Sequence, residues 1–432
     1  MEREHDSLEM GRNRPELGGK ARRRSALFVA FGALLLIAPA VPHAAERATA
    51  TAIASRIENG SSYSRLIVDL TKPVTIRTRP VADPPRIVVD MPQVEFRIDP
   101  RNGREVGASK LIKSYRYGQF APGRARMVVD LAAPALVARA TTEPSGAETR
   151  LVIDLVPADA AHFAAAAKAA ALPEPSAAAP TPAAPTPPVG KPVVVIDPGH
   201  GGVDMGATGR HGEQEKTIVL AFAQALRAKI EAGGNLHAIM TREEDVFLPL
   251  GERVRFAQRN NAALFLSIHA DTLAEPHVEG ATVYTVSAAA SDAEAARIAE
   301  KENHADLAGG LAHIDESTEV DDILIDLARR ESLAFSRQFA HTLVARWRDA
   351  GSLNKNPSRS AGFVVLKAYD VPSVLLELGY LSSDRDLARL TSPAWREVAA
   401  GKTAEAVEAF FAARRPEARS RNGLAQPAAR QD

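Results

Sequence analysis

The chain has 432 residues, 45% of them hydrophobic and 25% charged, an ordinary globular composition with length enough for more than one core. Lys plus Arg and Asp plus Glu each number 53, so the formal net charge is zero and gives no overall case for nucleic-acid binding. Cysteine is absent, which excludes disulfide scaffolds, thiolate zinc fingers, iron–sulfur clusters and cysteine nucleophiles; any metal must be held by His and carboxylate.

Residues 1–45 read as an export signal. The segment is polar up to Ala21-Arg22-Arg23-Arg24, and an apolar run from Ser25 to Ile37 follows. That run is short for a bilayer span, which takes about 20 residues. Ala38-Pro39-Ala40 and Ala44-Ala45 offer small-residue cleavage sites. The paired arginines fit a twin-arginine signal, with Sec export or an uncleaved anchor as alternatives. Loss of residues 1–45 leaves a charge of about −2, still close to neutral.

Residues 46–157 contain four similar segments: Arg65 to Asp69, Arg86 to Asp90, Arg126 to Asp130 and Arg150 to Asp154. Each sets an apolar, largely β-branched run between an Arg and an Asp, which predicts strands buried on at least one face. Their spacing is short, long, short, as in two copies of one β unit. Neither copy can bury its apolar face alone, so two sheets packed as a small sandwich are expected. No nucleophile–base pair or ligand set occurs here, so a binding or targeting role is expected, or a purely structural one. Residues 158–190 are mostly Ala and Pro and predict an extended, semi-rigid linker, with room for a short helix over 161–171.

Residues 191–415 alternate strands with amphipathic segments, the pattern of an α/β domain. Val193 to Ile196 is a buried strand running into Asp197-Pro198-Gly199-His200-Gly201-Gly202. Glu215 opens a helix with an apolar stripe at Ile218, Phe222, Leu226 and Ile230. Ala238 to Met240 is a short strand, and Leu250 to Asn261 reads as a helix. Leu264 to Ile268 is a third strand, ending in His269-Ala270-Asp271, and Ser373 to Leu376 is a further one, ending in Glu377. In a doubly wound sheet, residues at the carboxyl ends of strands converge on one edge.

Two His and a carboxylate suit a zinc ion with an open fourth position. His200, Glu215 and His269 fill the ligand roles, and Glu377 that of a base for bound water. Asp197 or Asp271 is expected to orient a ligand imidazole. Each residue also has a structural reading. The histidines can cap strand ends, Glu215 can favour a helix N-terminus, and Glu377 can be half of a buried ion pair.

These motifs, in this order and with Arg242 and Asp245, resemble the type 3 N-acetylmuramoyl-L-alanine amidases over about residues 191–412. The repeated strands of residues 46–157 resemble the AMIN domain that precedes such amidases in the periplasm. The resemblance implies one zinc ion on His200, Glu215 and His269, with Glu377 as the catalytic glutamate. It implies cleavage of the amide between N-acetylmuramic acid and L-alanine of peptidoglycan, with wall binding at the division site by the AMIN domain. Ser382-Ser383 departs from the Ser-Asn common in the family. The expected fold is thus an α/β catalytic domain, a twisted and mostly parallel sheet flanked by helices, behind a separate all-β sandwich.

Residues 285–334 interrupt that pattern. Ser291-Asp292-Ala293-Glu294 looks like a capping box, and a polar helix through Ala299-Glu300-Lys301-Glu302-Asn303 follows, broken by Gly309-Gly310. A second helix begins near Ile323, with Leu324 and Leu327 at apolar spacing. Read from the residues alone, these are surface helices. The division amidases of Gram-negative bacteria carry an insertion here that plugs the zinc site and docks a LytM-domain activator. That resemblance implies Glu302 as the plugging carboxylate, with Glu300 second, and Ile323, Leu324 and Leu327 as activator contacts. Two rivals remain: a zinc carboxypeptidase cutting within the stem peptide, and a non-catalytic wall-binding protein. Residues 416–432 are Arg/Ala-rich and are assigned no role.

Overall fold

A computed structural model describes residues 49–104, 106, 109–171, 190–312 and 323–414. The expected signal (1–45), most of the expected linker and the tail (416–432) lie outside the described residues.

The N-terminal part is all β. Its strands are β1 (Ala50–Asn59), β2 (Ser64–Leu70), β3 (Arg77–Val81), β4 (Arg86–Pro92), β5 (Val94–Phe96), β6 (Ile112–Ala121), β7 (Arg124–Leu131), β8 (Ala135–Ser145) and β9 (Glu148–Pro157). They form a five-stranded sheet ordered β5-β1-β2-β9-β8 and a four-stranded sheet ordered β3-β4-β7-β6. Leu66, Val68, Ile87, Val89, Met127, Val129, Leu151 and Ile153 meet in one core between them. The sequence repeat does not lay one copy in each sheet. β2 pairs with β9 and β4 with β7, so each sheet takes one motif from each copy. Antiparallel register then sets the Arg of one motif opposite the Asp of the other: Arg65 opposite Asp154, Asp69 opposite Arg150, and Asp90 opposite Arg126. The Arg65–Asp154 and Arg126–Asp90 pairs close to 2.6 Å, and Arg150–Asp69 to 3.3 Å.

Helix α1 (Ala160–Ala169) follows, with Asp159 as its N-cap accepting from the His162 N–H at 2.8 Å. Phe163 of α1 is buried in the sandwich core. The Ala-rich start of the expected linker is therefore part of the β domain.

The second part is built on β10 (Val193–Pro198), α2 (Glu215–Gly233), β11 (His237–Met240), α3 (Leu250–Arg259), β12 (Leu264–His269), β13 (Ala281–Val286), α4 (Ala293–Asn303), α5 (Ala305–Ala308), α6 (Ile323–Trp347), β14 (Leu353–Ala361), β15 (Ser373–Glu377), α7 (Asp384–Leu390) and α8 (Pro393–Ala412). Its six-stranded sheet is ordered β11-β10-β12-β15-β13-β14. β11, β10, β12 and β15 are mutually parallel, while β13 is antiparallel to β15 and parallel to β14. Residues of β10 alternate between two cores, as strand geometry requires. Val194 and Ile196 pack with α2, α6 and α8, and Val193 and Val195 pack with α3 and α4. Chain order reverses at β10, which has β11 on one side and β12 on the other. That is the switch point where a crevice opens at the strands' carboxyl ends.

Two details of the insertion differ from expectation. The N-cap of α4 is Asp292, which accepts from the Ala295 N–H at 2.9 Å, rather than Ser291 of the apparent capping box. Helix α6 does not end with the insertion; it runs on to carry Phe339, Leu343 and Trp347 into the core. Burial of that apolar stripe extends the helix beyond the polar segment that suggested a separate unit.

Candidate metal centre

The site starts at the end of β10. His200 sits at φ +57°, in the left-handed region that costs a side-chain-bearing residue of order 1 kcal/mol or more. Two buried guanidinium groups hold this turn. Arg242 donates to the carbonyls of Pro198 at 3.0 Å and Gly199 at 2.8 Å. Arg253 donates to the Pro198 carbonyl at 2.9 Å, the His200 carbonyl at 2.7 Å and the Asp197 carboxylate at 2.9 Å. Asp245 accepts from the Gly202 N–H and from Lys216, both at 2.7 Å. The loop backbone is thus satisfied by side chains, and the imidazole is left to face the crevice.

Three elements bring the ligand-type atoms together. His200 Nδ1 bonds Asp204 at 2.8 Å, which turns Nε2 inward to 3.1 Å from Glu215 Oε2. His269 Nδ1, at the end of β12, lies 3.2 Å from Glu215 Oε1. Glu215, in the first turn of α2, also accepts the N–H groups of Ala207 and Ala270, each at 2.8 Å. A Cβ on Gly206 would stand 2.6 Å from the His200 ring and 2.7 Å from Glu215 Oε2, and its φ is +64°, so only glycine fits there.

Glu302 reaches the same point from α4. Its Oε2 lies 3.4 Å from His200 Nε2 and 3.1 Å from His269 Nδ1. His200, His269 and Glu302 are all buried, and their ligand-type atoms lie within 4.8 Å of one another, a group that can hold a metal ion. Glu300, the second candidate, is exposed. The neighbours of Glu302 are also fixed. Lys301 pairs with Asp271, and the Asn303 side chain bonds the Gly362 carbonyl at 2.9 Å and the Val364 N–H at 2.8 Å. The cavity among His200, Arg253, His269, Glu302 and Val365 is about 10 Å³, room for one water at most.

Glu377 completes the cluster. It stands opposite His269 in the β12–β15 register, and its Oε2 accepts the Asp271 N–H at 3.0 Å. His200 Nε2, His269 Nδ1, Glu302 Oε1 and Glu377 Oε1 are buried without a hydrogen-bond partner. Buried polar atoms are normally paired, and these four orphans share one site with an excess of carboxylate. A divalent cation fits that donor set.

The electrostatics agree. Burial pushes the His200 imidazole down, but Glu215, Asp204 and Glu302 outweigh it and hold it well above its usual range. Burial opposes protonation of His269 too, but Glu302 and Glu215 raise it to about 10. Burial would raise Glu215 and Glu302, yet the two imidazoles pull both below the ordinary glutamate value. Glu377 goes the other way: burial, reinforced by Asp271, Glu215 and Glu302, lifts it well above that value against the pull of His269. The carboxylates around the two imidazoles favour positive charge at this point, which protons on the rings supply and which a divalent cation on neutral rings would supply in their place.

His200, Glu215, His269, Glu302 and Glu377 therefore converge. The expectation that Asp197 or Asp271 orients an imidazole is corrected. Asp197 accepts from Thr241 at 2.6 Å, Ser267 at 2.8 Å and Arg253, Asp271 pairs with Lys301, and Asp204 holds His200. Asp204 and Arg253 carried no sequence signal, one lying in a glycine loop and the other resembling any charge on a polar helix. Ser382 accepts from the Leu273 N–H at 3.0 Å, and Ser383 caps α7. Leu327 of α6 is 64% exposed, whereas the side chains of Ile323 and Leu324 lie outside the described residues.

Known proteins resemble both domains of the chain. Residues 194–409 match the N-acetylmuramoyl-L-alanine amidase family Amidase_3, and residues 54–155 match the AMIN domain. The chain is 33% identical to the N-acetylmuramoyl-L-alanine amidase AmiC of Escherichia coli O6:H1 over 409 residues, 91% of this chain and 96% of that one. It is 31% identical to AmiC of Neisseria meningitidis serogroup B over 408 residues, 91% of this chain and 98% of that one. With AmiA of Escherichia coli K12 it shares 38% over 223 residues, 51% of this chain and 77% of that one. The chain belongs to the N-acetylmuramoyl-L-alanine amidases, as a peptidoglycan-hydrolysing enzyme with an AMIN domain ahead of its catalytic domain.

Proposed function

We propose that the protein is a zinc amidase held closed by its own insertion, in which His200, Glu215 and His269 hold the ion and Glu302 occupies the position that water and substrate need. The four orphaned buried atoms around one point carry this reading. Zinc bound there supplies Lewis-acid activation of water and of the muramoyl carbonyl. Glu377 takes the proton of the attacking water on Oε1 and delivers it to the leaving L-alanine nitrogen. Its elevated proton affinity suits both halves of that task. The Asp271 N–H holds Glu377 Oε2 and so fixes which oxygen is free. Asp204 keeps the His200 ring in register.

With Glu302 in place the site admits no substrate, so turnover requires α4 to withdraw. The exposed Leu327, with Ile323 and Leu324 beside it in the sequence, is the docking point for a LytM-domain activator that drives withdrawal. We assign residues 1–45 to an export signal, residues 46–157 to wall targeting, residues 158–190 to a linker, residues 285–334 to the regulatory insertion, and the mature protein to septal wall splitting in the periplasm of a Gram-negative cell. No helix of the described residues is long and apolar enough to cross a membrane.

The test is mass spectrometry of the products from purified peptidoglycan, using zinc-loaded protein lacking residues 285–334. Free stem peptides beginning with L-alanine are expected. Release of residues from the stem's carboxyl end would replace the amidase reading with a carboxypeptidase. Absence of any product from a folded, zinc-bound protein would favour a wall-binding role.

A further inference from the structure

The outer face of the four-stranded sheet is apolar where it meets the catalytic domain. Val81, Val88, Phe120, Ala121 and Val128 form one buried cluster with Val203, Phe247 and Leu311. The backbones nearly touch: a Cβ on Gly118 would lie 2.2 Å from the Gly202 carbonyl carbon, and the Phe247 N–H donates to the Gln119 carbonyl at 3.2 Å.

Beside this cluster one Arg–Asp pair of the repeat is broken. Register sets Arg86 opposite Asp130, but Asp130 pairs with Arg116 at 2.6 Å. Arg86, fully buried, donates to the carbonyls of Leu307 at 2.5 Å and Leu311 at 3.1 Å. Arg116 donates to Ala308 at 2.7 Å and Leu307 at 3.2 Å, Arg126 to Gly309 at 3.0 Å, and Arg79 to Gly310 at 3.4 Å. Five successive carbonyls are held by four arginines of the β domain. They are the end of α5 and the turn after it, where the Gly310 N–H also reaches the Leu307 carbonyl at 3.0 Å and helix-end carbonyls commonly accept from cationic side chains. Only His304 separates α5 from α4, which carries Glu302.

We propose that this arginine face of the β domain is a docking surface for residues 307–311 of its own chain, and so a clamp that keeps the Glu302 plug seated. The inference rests on the reading of Glu302 as the plug. Withdrawal of α4 must drag α5 with it, which the arginine bonds and the Leu311 contact oppose, or bend the chain at His304, which would break the bond of its N–H to the Lys301 carbonyl at 3.1 Å and those its carbonyl accepts from Leu307 at 3.0 Å and Ala308 at 3.2 Å. The β domain thereby restrains the enzyme as well as placing it.

The test uses full-length, zinc-loaded protein with Arg116→Ala or Leu311→Asp, the second leaving the β domain's own residues intact, and Glu302→Ala as reference. Amide hydrogen exchange over 300–311 and hydrolysis of dye-labelled peptidoglycan are read together. Arg116→Ala should lower protection about tenfold, the effect of losing a hydrogen bond to a charged group, Leu311→Asp should lower it about tenfold or more by removing a buried apolar contact, and both should raise hydrolysis toward that of Glu302→Ala. Unchanged protection would overturn the clamp. So would lost protection with hydrolysis still at the parent level while Glu302→Ala is active. A silent Glu302→Ala would instead overturn the plug, and the clamp with it.

Discussion

The two halves of the molecule treat charged residues at strand ends in opposite ways. In the β domain, Arg65 and Asp154, or Arg126 and Asp90, face each other across a ladder and cancel. In the catalytic domain, His200, His269 and Glu377 follow similarly buried strands, yet each keeps a buried atom without a partner. The first arrangement stabilises a fold at modest gain, since such pairs at a sheet surface contribute little. The second leaves polar atoms desolvated at a cost that only a cation or a reaction offsets. Charges paired two by two across a ladder mark structure, and charges crowded on one point with buried polar atoms left unbonded mark chemistry.

That contrast can be broken at several points, from the largest expected effect down. Glu377→Gln keeps the shape and removes the proton acceptor. Hydrolysis of peptidoglycan by protein lacking the insertion should fall about 10²–10⁴-fold while bound zinc, counted by elemental analysis, stays unchanged. Glu302→Ala acts in the opposite direction. It should raise activator-free hydrolysis by about tenfold or more, since the buried carboxylate no longer competes with substrate. Asp204→Ala removes the partner that orients His200, and competition with a chelator should report zinc affinity weaker by about 10–100-fold. Asp154→Asn, in the β domain, should cost about 0.5–1 kcal/mol in denaturant unfolding and leave zinc affinity and turnover alone.

Much of this was legible in the sequence, for identifiable reasons. His269 and Glu377 close largely apolar strands and His200 follows one by two residues, and a parallel sheet sends such ends to one edge. Glu215 was legible because its helix stripe fixes where the first turn lies. The pairing of the β repeat was not, since four equal motifs allow more than one exchange of strands between sheets. Asp204 and Arg253 were hidden because their roles depend on a left-handed turn at His200 that no periodicity announces. The clamp was invisible for the same kind of reason: Arg86 looks like its three counterparts until Asp130 is seen with Arg116. Glu302 stood out only by resemblance, because a glutamate on a polar helix carries no signal of burial.

The central claim is that the orphaned atoms at the sheet edge are one zinc centre closed by Glu302. X-ray absorption at the zinc edge of the resting full-length protein tests it directly. The account predicts two imidazoles and carboxylate oxygens in the first shell, a shell altered by Glu302→Ala and untouched by Glu300→Ala. Zinc bound without imidazole, or a shell indifferent to Glu302, would contradict it.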